Sequence, residues 1–473
     1  MANSQKIKLL ISLLIPLLIL IIPKEFIPIN DITIIEQRLT AIFFMAALLW
    51  ILEPIPIYAT SLLIILLELI LVSDKGLNFL ISDTTNPEFG QLLNYKSIVG
   101  TFASPIIMLF LGGFFLAMSA TKYRLDLNLA KNLLKPFGKK PKFILLGLMV
   151  ITSLFSMFMS NTATTAMMLA VLTPVLASFP KNDKGKIAFV LAIPFAANIG
   201  GIGTPIGTPP NVVALKYLTG ENQIGFGEWM VFSVPFLAVL LVFTWLVLWK
   251  LFPSEQEKIE IKIKGKFLRN AKAITVYFTF GMTIFLWLFD FLHGMNSYIV
   301  ALIPVAVFSA TKIITKEDLK NVSWDVLWLV SGGIALGQGL EESGLAKHLV
   351  ETVPFGTFSS YVIILSATLL TILMASLMSN TATANLLLPI VAALGVSLPE
   401  LEFLGGAKML ILAVTFSCSL AMPLPVSTPP NAMAHATGLV ESNQMAKVGS
   451  IIGIFGLLAS YLLMFVLNEI GFF

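Results

Sequence analysis

Long apolar stretches recur along this chain from Leu9 to Val466 and are separated by short polar segments. A helix needs about 20 mostly apolar residues to cross a bilayer. Full-length membrane helices are therefore predicted near residues 8–23, 39–52, 57–73, 98–120, 229–251, 272–290, 296–311, 326–341 and 446–467. The pattern predicts an all-α polytopic membrane protein, because a β-barrel would show short alternating segments instead.

Shorter apolar segments occur in two groups, and polar residues interrupt each group. Two pairs of half-length segments meet at polar triplets: 143–160 with 161–179, and 360–379 with 380–397. A broken helix follows each pair, at 187–200 with 209–219, and at 408–423 with 430–438. Polar backbone at membrane depth is tolerated only where protein or a water-filled cavity surrounds it. The half-length pairs are therefore predicted to be re-entrant hairpins.

The interruptions carry duplicated sequence. SNTAT occurs at 160–164 and at 379–383, and TPPN occurs at 208–211 and at 428–431. The copies lie 219 and 220 residues apart, respectively, so the chain is two copies of one unit. Paired breaks at corresponding positions of two halves are the best sequence indication of a transporter's substrate site.

Composition and charge add an orientation. The chain is 57% hydrophobic and 12% charged, with a mean hydropathy of +0.91. If the N-terminus is cytoplasmic and the hairpins do not cross, 23 Lys and Arg residues fall on the cytoplasmic side and 7 on the other. This bias follows the positive-inside rule. It predicts eleven crossings of the cell (inner) membrane, an external C-terminus and two copies that are inverted relative to each other.

Several function classes are disfavoured. The net charge of +4 is spread over loops, which does not suggest nucleic-acid binding. The lone Cys418 and three scattered histidines offer neither a disulfide within the chain nor a metal-ligand spacing. No hydrolase or metalloprotease motif is found, which argues against an enzyme. An inverted pair of hairpins also favours a transporter over a channel.

The SNT triplets have the chemistry of an ion site. Ser160 and Asn161 offer oxygens beside carbonyls freed at the end of one half-helix, which suits a hard cation such as Na⁺. Thr162 and the following backbone N–H groups begin the next half-helix and suit an anion. Ser379, Asn380 and Thr381 repeat this arrangement. A role in helix packing alone is the alternative for one copy, but two matched copies favour a site.

The TPPN segments predict helix starts near the protein centre. Thr208 suits the N-cap, and Pro209 fits the first helical position, where its missing N–H costs nothing. Thr428 and Pro429 do the same in the second copy. Since no Arg or Lys lies in these motifs, helix ends and bound cations would supply the positive field for a small dianion.

Other polar and small residues are assigned by their surroundings. The glycines of 200–207 are predicted to allow close backbone approach beside Asn161. Gly112-Gly113 and Gly332-Gly333 are predicted to serve helix packing. Glu68 lies well inside an apolar segment, where an acidic residue suggests either a proton relay or a structural role at an interface.

With its doubled SNT and doubled TPP motifs, the chain resembles the divalent anion/sodium symporter family, the INDY-type dicarboxylate transporters, over nearly its whole length. The resemblance implies an elevator-type homodimer in the lipid bilayer, with a scaffold domain and a moving transport domain. Scaffold helices would occupy 1–140 and, with the cytoplasmic loop, 253–345. The transport domain would occupy 141–252 and 346–473.

The resemblance also implies residue roles. Substrate contacts would be Asn161, Thr162, Asn380 and Thr381, with Thr208, Pro209, Thr428 and Pro429 nearby. A first sodium site would use Ser156, Ser160, Asn161 and Gly207. A second would use Asn380 with the carbonyls of Met378 and Ser427.

One position departs from the family pattern. Ala375 corresponds to Ser156, whereas family members can have a threonine there that adds a ligand to the second sodium site. The leading hypothesis is Na⁺-coupled uptake of C4-dicarboxylates such as succinate, malate or fumarate. The alternative is a sodium-independent dicarboxylate or citrate exchanger.

Overall fold

The computed structural model describes residues 3–29, 31–81, 86–176, 179–180, 182–259 and 267–473. Some residues used in the predictions lie outside the described residues. These are Lys181, which entered the charge count, residues 260–266, which belong to the predicted cytoplasmic loop, and residues 177–178 of the predicted segment 161–179.

The regular elements of the described residues are all helices, and these residues contain no β-strand. The helices of the first half are α1 (Asn3–Ile21), α2 (Ile34–Leu52), α3 (Ile57–Leu71), α4 (Tyr95–Gly100), α5 (Pro105–Lys122), α6 (Leu125–Leu134), α7 (Pro141–Ser156), α8 (Asn161–Leu176), α9 (Gly185–Gly201), α10 (Pro209–Leu215) and α11 (Phe226–Leu251). Those of the second half are α12 (Ala271–Leu288), α13 (Asp290–His293), α14 (Ser297–Ala310), α15 (Lys316–Leu319), α16 (Trp324–Glu342), α17 (Leu345–Thr352), α18 (Ser360–Leu377), α19 (Asn380–Ser397), α20 (Gly406–Leu420), α21 (Pro429–Ala436) and α22 (Ser442–Glu469).

Eight helical segments of the described chain are long and apolar enough to cross a membrane. Both arms of the second predicted hairpin, α18 and α19, are among them, with 18 residues each. Length alone therefore does not separate these arms from spanning helices. The difference lies in the polar Ser379-Asn380-Thr381 junction between them.

Local sequence explains where the helices differ from the predicted segments. α2 begins five residues before the predicted span because Thr33 and Glu36 form a capping box, with the Thr33 N–H 2.8 Å from Glu36 Oε2. The predicted span 98–120 is divided into α4 and α5 at Ser104-Pro105, where the Ser104 hydroxyl caps α5. Hydropathy does not report such caps.

Two helix crossings depend on glycine, as predicted. A Cβ atom on Gly112 of α5 would lie 2.4 Å from the Ala301 carbonyl oxygen of α14. One on Gly332 of α16 would lie 2.5 Å from the Ser61 Cα atom of α3. Glycine thus brings these helix backbones into direct contact.

The apolar interior has two parts. α2, α3, α16 and α17 share a core that also receives Met378, Ala382 and Leu386 from the junction of α18 and α19. A larger core unites residues of α5 to α12 and α14 with residues of α16 to α22. The start of α19 therefore lies where the two cores adjoin.

Candidate functional site

Each broken helix packs against a helix of the predicted hairpin in the opposite half. α10, which begins with the first TPPN, packs against α19, which begins at the second SNT. Reciprocally, α21 of the second TPPN packs against α8 of the first SNT. Each broken helix therefore packs against the helix that begins at the other half's polar junction. We call these junctions the first tip (157–162) and the second tip (378–381).

The first tip gathers oxygen atoms around Asn161. One terminal atom of the Asn161 amide lies 2.6 Å from Ser156 Oγ and 3.2 Å from the carbonyl oxygens of Ala197 and Gly207. Ser156 Oγ also lies 2.8 Å from the Ala197 carbonyl. If the amide nitrogen points inward, it donates to these oxygens. If the oxygen points inward, four oxygens converge, which suits a cation.

Three of these four groups belong to residues predicted for the first sodium site, and Ala197 was missed. Ala197 contributes only a backbone carbonyl, so its side chain carries no sequence signal. The fourth predicted residue, Ser160, uses its hydroxyl to cap α8, with Ala163 N–H donating at 3.2 Å. No described contact joins Ser160 to the oxygen cluster.

The glycines beside Asn161 permit the close approach that was predicted. A Cβ atom on Gly201 would lie 2.8 Å from Asn161 Oδ1, and one on Gly207 would lie 2.4 Å from the Gly201 carbonyl oxygen. A side chain at either position would enter the group of oxygens around Asn161 or push the two backbone segments apart. The cluster therefore exists because α9 ends in glycine.

The asparagine of each TPPN closes the break in its own half. Asn211 Nδ2 donates to the carbonyls of Gly201 and Thr204, at 3.0 and 2.8 Å. Asn431 Nδ2 donates to those of Met422 and Leu424, at 2.9 and 3.1 Å. Carbonyls left unpaired at a helix end in an apolar region are costly. Each asparagine therefore stabilises an interrupted helix that would otherwise expose them.

Thr208 and Thr428 are N-caps in conformation, each followed by proline at the first helical position, as predicted. Their hydroxyls differ. Thr428 accepts the Asn431 N–H at 3.3 Å, whereas Thr208 makes no side-chain cap bond. Both side chains are buried, Pro209 is half-buried and Pro429 is exposed.

The second tip is related to the first but is not identical. Ser379 caps α19 by accepting the Ala382 N–H at 3.1 Å. Asn380 Oδ1 is buried without a hydrogen-bond partner. A buried polar atom without a partner costs free energy. This oxygen is therefore a candidate ligand for a bound ion or substrate. Ala375 is fully buried where Ser156 stands in the first half, so no hydroxyl is present there.

The remaining predicted residues of the second tip lie around it. Met378 is extended and buried, and it is the first residue of the second tip after α18. Ser427 Oγ donates to the Ser376 carbonyl at 3.1 Å, which ties the second break to the end of α18. Thr381 is buried and Thr162 is exposed, so the two tips do not present their threonines equally.

Two polar positions near the motifs were not predicted from their side chains. Asn198 of α9 is 2% exposed and lies 3.1 Å from Thr428 Oγ1, across the two halves. A polar residue inside an apolar helix was the signal available for it. Lys216 follows α10 and donates to the Ile334 carbonyl of α16 at 3.0 Å.

Glu68 of α3 is a buried polar residue in the neighbourhood of Lys216. Its carboxylate is fully buried, has no hydrogen-bond partner and lies beside Gly339 of α16. Lys216 is the cation that acts on it electrostatically. The position of Glu68 between α3 and α16 agrees with a structural role at a helix interface.

Comparison with known proteins gives consistent matches. Residues 47–405 match a family model described as a citrate transporter. The chain is 32% identical to the "Sodium-dependent dicarboxylate transporter SdcS" of Staphylococcus saprophyticus, over 90% of this chain and 85% of that protein. It is also 32% identical to the protein of the same name from Staphylococcus aureus, over 86% and 81% of the two chains.

Solved structures support the fold at lower identity. The Alcanivorax borkumensis YdaH transporter superposes with a TM-score of 0.55 at 15% identity, covering 80% of this chain and 88% of that one. MtrF of Neisseria gonorrhoeae, described within a class of antimetabolite efflux pumps, superposes with a TM-score of 0.52 at 12% identity, covering 86% and 94%. At these identities the likeness concerns the fold alone.

Proposed function

The chain belongs to the divalent anion/sodium symporter family of membrane transporters, and on that premise we propose that it imports C4-dicarboxylates such as succinate, malate and fumarate together with Na⁺. Members of this family are transporters rather than enzymes, and this chain is a multi-pass membrane protein. Dicarboxylate transport itself agrees with the names of its relatives.

The oxygen cluster at the first tip is the observation that carries the sodium coupling. With its oxygen turned inward, the Asn161 amide joins the Ser156 hydroxyl and the carbonyls of Ala197 and Gly207 in supplying the hard oxygen donors that a small cation prefers. The cluster contains no carboxylate, so it would bind a monovalent ion without holding it too tightly for release. Asn380 Oδ1, which lacks a partner, would ligate a second ion.

The dianion would bind between the tips. Asn161 and Thr162 begin α8, and Asn380 and Thr381 begin α19, so each carboxylate of a short dicarboxylate would face one helix N-terminus and a bound cation. This arrangement makes Na⁺ and substrate help each other bind, and by linkage that help is reciprocal.

Movement of this site would follow an elevator mechanism. In this proposal the chain crosses the inner membrane eleven times from a cytoplasmic N-terminus to an external C-terminus, and the α7–α8 and α18–α19 pairs are hairpins that do not cross. Residues 141–252 and 346–473 would move as a transport domain against scaffold residues 1–140 and 253–345. The scaffolds of two chains would form the homodimer.

The test is radiolabelled succinate uptake by purified protein in liposomes, with Na⁺ or choline outside and no substrate inside. We expect uptake only with Na⁺, and we expect N161A and N380A to abolish it because each removes an oxygen ligand and a helix-start contact. A folded-protein control is the elution profile of each variant in detergent. Normal uptake by either variant would reject the site assignment.

A second candidate function rests on Ala375. Without a hydroxyl at this position the second tip has fewer cation ligands, which favours sodium-independent exchange of dicarboxylate or citrate. Uptake that requires preloaded dicarboxylate and is the same in Na⁺ and choline would select this candidate and reject symport.

A further inference from the structure

Asn198 connects the two halves of the site by hydrogen bonds from its side chain. It lies on α9 of the first half, three residues before the end of that helix, and is 2% exposed. Its Nδ2 atom lies 3.1 Å from Thr428 Oγ1 and 3.3 Å from Asn431 Oδ1, both in the second half. Among the described residues, it thus reaches the second break from the helix that ends beside the first tip.

This contact determines what the Thr428 hydroxyl can do. A hydroxyl has two acceptor lone pairs and one proton to donate. Thr428 Oγ1 accepts from Asn198 Nδ2 at 3.1 Å and from the Asn431 backbone N–H at 3.3 Å. Both acceptor positions are therefore occupied, while the described residues offer no protein acceptor for its proton. The hydroxyl proton therefore remains available to be donated to a bound ligand.

The first half lacks the corresponding contact. Thr208 makes no side-chain cap bond, and Asn211 Oδ1 is buried without a partner. The residue 220 positions after Asn198, the spacing of the TPPN copies, is Cys418, which is fully buried. A thiol is a weak donor. Asn198 therefore makes the second break chemically different from the first.

We propose that Asn198 is a positioning residue that fixes Thr428 as a one-way hydrogen-bond donor to the anionic substrate. This inference rests on the proposed function and adds a residue to it. A hydroxyl that can only donate favours a carboxylate oxygen and disfavours a substrate group that must itself donate. Asn198 would thus contribute to selecting anions at a site that has no basic side chain.

The test replaces the amide by a group of the same shape that cannot donate. In N198D the carboxylate only accepts, so the Thr428 proton turns toward residue 198 and is lost to the substrate. We expect the KM for succinate to rise about tenfold or more, as for loss of a hydrogen bond to a charged group, while the maximal rate stays within about twofold of wild type.

N128D is the matched control. Asn128 of α6 is equally buried and donates to the carbonyl of Arg124, which precedes that helix, away from the tips, so the KM of N128D should match wild type. T428V should raise KM on its own, and N198D should add nothing to T428V because both act through one hydroxyl. If N198D does not fold, N198S removes the reach of the donor without adding charge and carries the same expectation.

An unchanged KM in the folded variant, or effects of N198D and T428V that multiply, would overturn the role of Asn198. Wild-type uptake measured in parallel distinguishes this from failure of the proposed function. If wild-type protein takes up neither succinate nor citrate, the proposed function is rejected and the inference with it. If wild-type uptake is normal and only the variant result fails, the inference alone is rejected.

Discussion

At the scale of single residues, the Asn161 amide is the most informative group, because either of its two ends can complete its surroundings. With nitrogen inward, it satisfies the Ala197 and Gly207 carbonyls, each at 3.2 Å. With oxygen inward, a cation must do so. Loss of the ion therefore need not leave bare carbonyls in an apolar region, since rotation of one side chain replaces it. The corresponding Asn380 oxygen has no such set of partners.

Ala375 provides a residue-scale test of the second cation site. Because it is fully buried where the first half has Ser156, A375S would restore one hydroxyl ligand. We expect the Na⁺ concentration for half-maximal uptake to fall severalfold, and S156A, the reciprocal change, to raise it. Na⁺ titrations of succinate uptake measure both. Equal values for A375S and wild type, in protein of equal stability, would place the second ion elsewhere.

At the scale of elements, the end of α9 is fitted to the first tip by glycine. In G201A the new Cβ atom would stand 2.8 Å from Asn161 Oδ1 and 3.1 Å from the Gly207 carbonyl oxygen. We expect the amide to be displaced and the apparent Na⁺ affinity to fall about 10- to 100-fold, the range for disturbing the groups around a metal ligand.

G281A is the matched control for G201A. Gly281 lies within α12, and a Cβ atom there would meet no heavy atom within 4 Å. Its Na⁺ affinity should equal that of wild type, and its stability should be equal or higher because alanine favours a helix. If G201A retained wild-type Na⁺ affinity, the oxygen cluster would not be the ion site.

The sequence was most informative about the positions of the helices. Apolar length and the repeated breaks predicted the helices, and TPPN predicted that α10 and α21 start at Pro209 and Pro429. The helix α6 was missed because its polar residues resemble those of a loop. The Ala197 carbonyl and the Asn198 bridge could not be predicted, since both depend on how α9 meets the other half in space.

At the scale of the whole molecule, Lys216 joins the broken helix to the α3–α16 pair. Its ammonium group donates to Ile334, and the carboxylates of Glu68, Glu341 and Glu342 act on it electrostatically. If α9–α10 moves against α3–α16 during transport, this contact must break. The contact would then stabilise this arrangement of the helices until the binding of substrate and ion compensates for breaking it.

K216M tests this contact through stability. Removing the ammonium group leaves the Ile334 carbonyl without its side-chain donor and removes the contact between α10 and α16, so we expect the free energy of unfolding to fall by about 1–3 kcal/mol. Thermal unfolding followed by tryptophan fluorescence measures this loss. A K216M protein as stable as wild type would show that Lys216 does not bind the two parts together.

The exchange of broken helices between the halves has a consequence for biosynthesis. α8 is completed near residue 176, but α21, which covers it, begins only at Pro429. At about 5–20 residues per second, the first tip waits roughly ten to fifty seconds for its partner to leave the ribosome. During that time its polar groups depend on water, lipid headgroups or the insertion machinery. The nascent first half is therefore a stage at which this protein is exposed to misassembly and quality control.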